Sequence, residues 1–279
     1  MKSLAARLQS RWTTAAAFAA TAHAAEDRPA LFLAGIARGV PFVGGGFYAR
    51  LGRLLGAEVS PRVRAAGGSR IGLDLRDAGD LMVFEEIFVD LVYPLNLVPF
   101  VPDTIVDCGA CAGFFTLLAH ARFPDARMHA FEPEPKNLER LRRNFALNGL
   151  AAEVHAAAVG LADGTASFSG AGFGGHLGAA VQGAIEVRVA GLPQFLRSCG
   201  TQKLLLKMDI EGAEAQLLPA IVPLLPRTTA LFLETHHPEE ECRRYLQPLL
   251  DAGAIHSEIR RRHDAAAQTD YVERLLLRT

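Results

Sequence analysis

From residue 103 onward, short apolar runs alternate with longer stretches of helical period. Thr104–Asp107 has the length of a buried strand, and a glycine-bearing turn and the apolar helical stretch Phe114–Ala121 follow it. Arg127–Glu132 is the next strand, after which Leu138, Leu141, Phe145 and Leu147 recur at the spacing of a helix face. Glu153–Val159 reads as a third strand, and residues 160–200 as a glycine-rich insertion with a strand at Ile185–Val189. Lys203–Ile210 is strongly apolar and leads into a helix from Ala213 to about Leu224. Thr228–Glu234 and a helix over Pro238–Ala252 repeat the unit, and Ile255–Arg260 and Tyr271–Leu277 read as two closing strands. Strands alternating with helices predict a mostly parallel sheet covered on both faces, an α/β sandwich of Rossmann type.

The first hundred residues follow a different pattern. Residues 1–60 are rich in Ala and Gly, with Gly44-Gly45-Gly46 marking a turn. Arg70–Leu75 alternates as a short strand. Asp80–Tyr93 places Leu81, Phe84, Ile87, Phe88, Leu91 and Val92 on one helical face before Pro94, Pro99 and Pro102 break the chain. We therefore expect an N-terminal extension over residues 1–69, partly helical or flexible, and one domain over residues 70–279. A lid, a homodimer contact and a flexible tail all stay open for the extension, and Tyr93 is either core or a ligand contact. Lys2, Arg7 and Arg11 precede the Ala-rich stretch Thr13–Ala25, and Ala22-His23-Ala24 resembles a signal-peptidase site. Phe18 is the only large apolar side chain there, so insertion is weakly driven and a surface helix is expected. No run of strongly apolar residues is long enough for a transmembrane helix.

Composition narrows the function classes. Half of the 279 residues are hydrophobic and 21% are charged, as in a chain that buries a core. The 29 Lys+Arg against 30 Asp+Glu leave a net charge of −1, which gives no general attraction to nucleic acid. The one dense basic run, Arg260-Arg261-Arg262-His263, reads as a short solvated turn. Four cysteines make no disulfide scaffold. Cys108 and Cys111 form a C-x-x-C without the second pair that a zinc ribbon needs. Free thiols in a reducing compartment, the cytoplasm, are the expectation.

Candidate chemistry gathers in Val106-Asp107-Cys108-Gly109-Ala110-Cys111-Ala112-Gly113-Phe114-Phe115. Asp107 ends the first strand, and Gly109 and Gly113 sit in the turn that opens the next helix. Open α/β sheets bind ligands beyond the carboxyl ends of their strands. Glu132 ends the second strand, where a carboxylate can accept hydrogen bonds from both hydroxyls of a ribose. A dinucleotide site has G-x-G-x-x-G; here the middle glycine that admits a pyrophosphate is missing, and Asp107 would repel it. A nucleoside cofactor without phosphates is predicted.

Four blocks carry a resemblance: Val106-Asp107-Cys108-Gly109-Ala110, Ala130-Phe131-Glu132-Pro133, Leu206-Lys207-Met208-Asp209-Ile210-Glu211-Gly212-Ala213-Glu214 and Leu233-Glu234-Thr235-His236. In order and spacing they resemble the FkbM-type methyltransferases, over about residues 70–260. The resemblance implies a class I enzyme using S-adenosyl-L-methionine, with a seven-stranded sheet whose last strand is antiparallel. It also implies a small hydroxylated acceptor, a sugar or a polyketide-like natural product. Asp107, Gly109 and Gly113 would meet the methionine end of the cofactor, with Ala110 and Phe115 in the same segment. Glu132, followed by Pro133, would meet the ribose, Ala157 or Ala158 the adenine, and Asp209 the cofactor from the third block. The family usually has Asn where this chain has Cys111.

Methyl transfer to an alcohol needs in-line alignment and removal of a proton. Lys207 and Asp209 share one face of their strand by period two, and Glu234 and His236 lie on the neighbouring rim. Asp209 or His236 is the expected base, with Lys207 and Glu234 beside them. Glu214 either complements a helix start or takes part in the chemistry, and His237 reads as a helix-entry residue. The carboxylates and imidazole are metal-ligand types, but such groups are common at strand ends without an ion and no metal is assigned. His176, among the glycines of residues 172–178, marks a loop that either closes over substrate or lies on the surface. Two other readings stay open: a non-catalytic nucleoside-binding protein of the same fold, and an NAD-dependent oxidoreductase, for which no Ser-Tyr-Lys set is evident.

Overall fold

Leu4–Ala20 (α1) and Arg28–Arg38 (α2) are helices that pack on each other across a short 3-10 turn at Ala25–Asp27. The computed structural model describes residues 4–38, 61–65, 68–76, 78–169, 176–177, 184–264 and 269–279. The Gly44–Gly46 turn and most of the 172–178 loop therefore lie outside the described residues. Ala15 and Phe18 are fully buried, so the Ala-rich helix has a core face as well as a surface face. Asp27 braces the turn between the two helices: its carboxylate accepts the amide of Ala24 and both the amide and Nε of Arg62. Arg62–Arg64 (β1) then pairs antiparallel with Arg70–Gly72 (β2).

Ala78–Phe84 (α3) runs into a π-helical turn at Glu85–Val89 and stops there, short of the expected Tyr93. Leu91 adopts a φ of 54°, a left-handed conformation that ends the helix. Phe114–Arg122 (α4) and the second half of Pro135–Asn148 (α5) belong to the same compact unit, which comprises Met1–Leu91, Ala112–Arg122 and Arg140–Leu150. Two asparagines of α5 stitch this unit: Asn144 accepts the Asp74 amide and donates to the Ala112 carbonyl, and Asn148 does both for Gly72.

The second unit comprises Val92–Cys111, Phe123–Glu139 and Ala151–Thr279. Its strands are Thr104–Cys108 (β3), Arg127–Phe131 (β4), Glu153–His155 (β5), Ala158–Gly160 (β6), Gly164–Ser169 (β7), His176–Leu177 (β8), Ile185–Gly191 (β9), Lys203–Met208 (β10), Thr228–Thr235 (β11), Ile255–Asp264 (β12) and Thr269–Arg278 (β13). Seven form one sheet in the order β12-β13-β11-β10-β3-β4-β5. Only β13, the last in sequence, runs antiparallel to its neighbours β11 and β12. This is the mostly parallel seven-stranded α/β sheet, with an antiparallel last strand, that was expected. Strands at its centre are buried along most of their length, which is why Ile105-Val106 and Leu204-Leu205-Leu206 read as apolar on both faces. Leu192–Cys199 (α6), Glu214–Ile221 (α7) and Glu239–Asp251 (α8) share a buried cluster with the sheet, in which Leu196, Leu217 and Leu246 meet Val106, Leu206 and Leu233.

Two expectations are corrected. Glu153–Val159 is not one strand: after β5 the Ala157 amide turns back to the His155 carbonyl, and β6 joins a separate four-stranded sheet, β6-β9-β7-β8. The basic run is not a solvated turn either. Arg260, Arg261 and Arg262 lie in β12, paired with Glu273, Glu258 and Glu234 at 2.7, 2.7 and 2.8 Å. Among the described residues, no helix is long and apolar enough to cross a membrane.

Candidate active site

Strand order reverses between β3 and β10, and this is where an open parallel sheet accepts a ligand. Asp107 of β3 is fully buried and lies in register with Lys207 of β10. The Lys207 ammonium donates to the Gly109 carbonyl at 2.6 Å and sits 3.4 Å from Asp107 Oδ1 and 3.6 Å from Asp209 Oδ2. Burial alone would lower its pKa, but Asp107 and then Asp209 hold it above the ordinary lysine range. Lys207 is thus a fixed cation tying two strand ends together. Tyr93, buried edge-on against Phe232, offers its ring face to the same ammonium at 5.9 Å.

The turn after β3 is held from within. Gly109 and Ala110 both donate their amides to the Phe131 carbonyl, at 3.1 and 2.9 Å. Cys111 donates its amide to Glu132 Oε2 at 2.8 Å. The other carboxylate oxygen of Glu132 accepts the Glu134 amide at 2.9 Å and Asn137 Nδ2 at 3.4 Å. Burial pushes Glu132 up to about 7, against the lowering effect of these hydrogen bonds. Gly109 has a φ of 81°, and a Cβ there would lie 1.9 Å from the Asp209 carbonyl oxygen. Glycine is required at this position because the two strand ends touch. The Cys108 thiol is raised by burial and then by the neighbouring Asp107, and neither it nor Cys111 is in a disulfide.

On the rim, Glu211 and Gly212 take left-handed φ values of 56° and 101°, turning the chain from β10 into α7. Glu214 at the start of α7 is fully buried. Its Oε1 accepts the Ile210 amide at 3.2 Å and lies 3.2 Å from His236 Nδ1. It therefore both braces the turn and orients the imidazole. His236 Nε2 then faces Glu211 at 3.4 Å and Asp209 and Glu234 at 3.9 Å each. Burial would lower the imidazole, but Glu214, Asp209 and Glu234 outweigh it and raise His236 to about 10. Burial lifts Glu211 to about 7 and Glu234 to about 8, with Asp209 adding to both. At neutral pH His236 is an imidazolium in an acidic cage. His237 behaves as a helix-entry residue whose carbonyl accepts the Cys242 thiol at 3.2 Å.

The family model of the Methyltransferase FkbM domain matches residues 107–262, more than half of the chain. The chain belongs to the FkbM methyltransferase family. It is 40% identical over 79 residues to Methyltransferase sdnD of Sordaria araneosa, which covers 28% of this chain and 30% of that protein. It is 38% identical over 78 residues to the 31-O-demethyl-FK506 methyltransferase FkbM of Streptomyces tacrolimicus, again 28% and 30% of the two chains. These alignments span less than a third of the relatives' length. A solved FkbM methyltransferase from Methylobacillus flagellatus KT overlays with a TM-score of 0.42 at 14% identity, covering 95% of this chain and 58% of that one.

Of the residues singled out by the FkbM resemblance, Asp107, Gly109, Ala110, Glu132, Pro133, Ala158, Lys207, Asp209, Glu234 and His236 lie in the second unit. Gly113 and Phe115 lie in the first. Gly113 also has a φ of 81°, and a Cβ there would press on the Phe145 ring at 2.6 Å; Phe115 is buried. Sequence reasoning missed three features of this FkbM domain: the reach of Lys207 to the Gly109 carbonyl, the inward use of Glu132, and Arg262 on Glu234. The basic run was the only available signal for the last.

Proposed function

We propose that this FkbM-family chain is an S-adenosyl-L-methionine-dependent methyltransferase that methylates a hydroxyl of a small molecule, a sugar or natural product. The observation that carries the cofactor reading is the use of three N–H groups. Gly109 and Ala110 give theirs to Phe131, and Cys111 gives its own to Glu132. A pyrophosphate would take its hydrogen bonds from such amides. With them engaged and a buried carboxylate at Asp107, the turn suits an adenosyl group without phosphates better than NAD. The cofactor, when bound, supplies an electrophilic methyl group on a sulfonium, and the surplus of carboxylates around Asp107 and Asp209 suits that positive charge. Glu132 and Pro133 are assigned to the ribose side and Ala158 to the adenine side. Gly109 and Ala110 are assigned to the methionine side, as are Gly113 and Phe115 on the family resemblance.

Between the two candidate bases, the geometry favours Asp209. It directly follows β10 with its side chain partly exposed, and Lys207 holds one of its oxygens at 3.6 Å. His236, already protonated near neutrality, cannot accept a proton there; it holds the carboxylates of the rim in place. Oxygen as the acceptor atom is supported by the name of the Streptomyces tacrolimicus relative, a 31-O-demethyl-FK506 methyltransferase. A cytoplasmic location is supported by four cysteines that lie outside any disulfide.

Calorimetry with S-adenosylmethionine and with NAD, followed by transfer of a labelled methyl group to a panel of sugars and polyketide alcohols, tests the proposal. Binding of S-adenosylmethionine alone and label on an alcohol oxygen are expected. Binding of NAD instead would overturn the cofactor; tight S-adenosylmethionine binding with no transfer to any acceptor would favour a non-catalytic binding protein. Asp209→Asn is expected to lower kcat by about 10²–10⁴-fold, while His236→Gln keeps a measurable base-dependent pH profile.

A further inference from the structure

We propose that His129, Glu153 and His155 form a binding site for a borderline divalent cation, with zinc(II) the best fit, at the β4–β5 edge of the seven-stranded sheet. The sheet brings them together by register. β4 and β5 are parallel, with His129 beside Glu153 and Phe131 beside His155, so alternation puts all four side chains on one face. His129 Nδ1 lies 3.3 Å from His155 Nε2 and 3.3 Å from Glu153 Oε2, and His155 Nε2 lies 3.7 Å from Glu153 Oε1. Nitrogen and oxygen donors sit about 2.0–2.2 Å from zinc, so tetrahedral neighbours are about 3.3–3.5 Å apart. The two 3.3 Å separations match that figure, and the 3.7 Å separation from His155 to the other carboxylate oxygen lies just above it.

The rings are also held in place before any ion arrives. His155 stacks on Phe131 with centroids 4.1 Å apart and planes 9° apart. Phe195 of α6 sets its edge against both imidazoles, at 5.0 Å from His129 and 5.6 Å from His155. Both imidazoles are mostly buried while Glu153 is exposed, so the open side of the trio faces solvent and leaves room for a water as fourth ligand. One proton can bridge the two facing ring nitrogens. A cation in its place would take a lone pair from each ring and one from the carboxylate, with the remaining ring proton of each histidine on the far nitrogen. The nearby Arg127 does not compete for Glu153 in this geometry: its guanidinium donates to Thr104 Oγ1 and to the Cys199 carbonyl. An ion here would clamp the edge strand whose His155 carbonyl accepts the Glu132 amide at 3.1 Å. This inference does not rest on the methyltransferase reading.

The test is a zinc titration of the metal-stripped full chain against a competing chromophoric chelator, with imidazole nitrogen resonances followed by NMR. One zinc per chain is expected, with the His129 and His155 ring signals shifting together. Glu153→Gln and His155→Gln are each expected to weaken zinc binding by about tenfold or more. Glu153 is exposed, so its variant gives a reading even if loss of the His155 stack disturbs the fold. The Asp209→Asn/His236→Gln double variant is expected to leave the affinity unchanged. Zinc binding that survives both the Glu153 and His155 changes, or that disappears with His236 instead, overturns the proposal.

Discussion

Cys111 holds a φ of 51° and gives its amide to Glu132. Asn tolerates that left-handed region better than Cys does, because its short polar side chain can hydrogen-bond locally. Cys111→Asn is therefore expected to raise stability by about 0.5–1 kcal/mol and to tighten S-adenosylmethionine binding; a lower melting temperature would show that the thiol fits its surroundings. Lys207 poses the opposite case. Lys207→Met would strip the ammonium from a buried Asp107, at a cost of about 3–5 kcal/mol in denaturant unfolding. A loss under about 1 kcal/mol would mean that the ion pair only breaks even with an apolar side chain. The pairing of Lys207 with Asp209 was legible from period two along one strand. Its bond to the Gly109 carbonyl was not, because the two residues are 98 positions apart and only the sheet makes them neighbours.

At the scale of elements, the turn from β10 to α7 is the strained piece. Gly212 has a φ of 101°, yet a Cβ there would meet nothing within 4 Å. Gly212→Ala should thus cost only the backbone penalty, about 1–2 kcal/mol, read as a lowered melting temperature; no change would mean that the turn relaxes. Strands β3, β10 and β11 were legible because burial on both faces makes their middles apolar, with polar residues such as Asp107, Lys207 and Glu234 towards their carboxyl ends. The break between β5 and β6 was not, since Ala156 and Ala157 carry no turn chemistry and the bend depends on the hydrogen bonds of the His155 carbonyl. The three arginines of β12 looked solvated because two of their partners, Glu273 and Glu234, come from other strands.

For the whole molecule, pH sets a direction. His236 rises from 6.5 to about 10 on folding, so its contribution is complete below pH 6.5 and is lost as pH climbs towards 10. Glu132 and Glu211, raised from 4.5 to about 7, and Glu234, raised to about 8, act with the same sign, because the folded state favours their protonated forms. Asp103, Glu239 and Glu258 are lowered and act in the opposite sense, losing their contribution only in acid. The melting temperature is expected to peak on the acid side of neutrality and to fall between pH 7 and pH 10, more shallowly in His236→Gln. A rise over that interval would contradict the caged imidazolium. The strand alternation made the seven-stranded sheet readable, and the four sequence blocks the family. The state of His236 was not, because it depends on carboxylates drawn from two strand ends and a helix.

The clasp between Lys207 and the Gly109 carbonyl also bears on how the chain is made. As synthesis proceeds from the N-terminus, the segment Asp107–Cys111 emerges long before β10, and until then neither its carbonyl anchor nor the Asp209 backbone packed against Gly109 exists. A nascent or truncated chain ending before Lys203 would carry the letters of the turn without its shape. Cofactor capture by ribosome-stalled chains of increasing length should accordingly switch on only after residue 209 has cleared the exit tunnel.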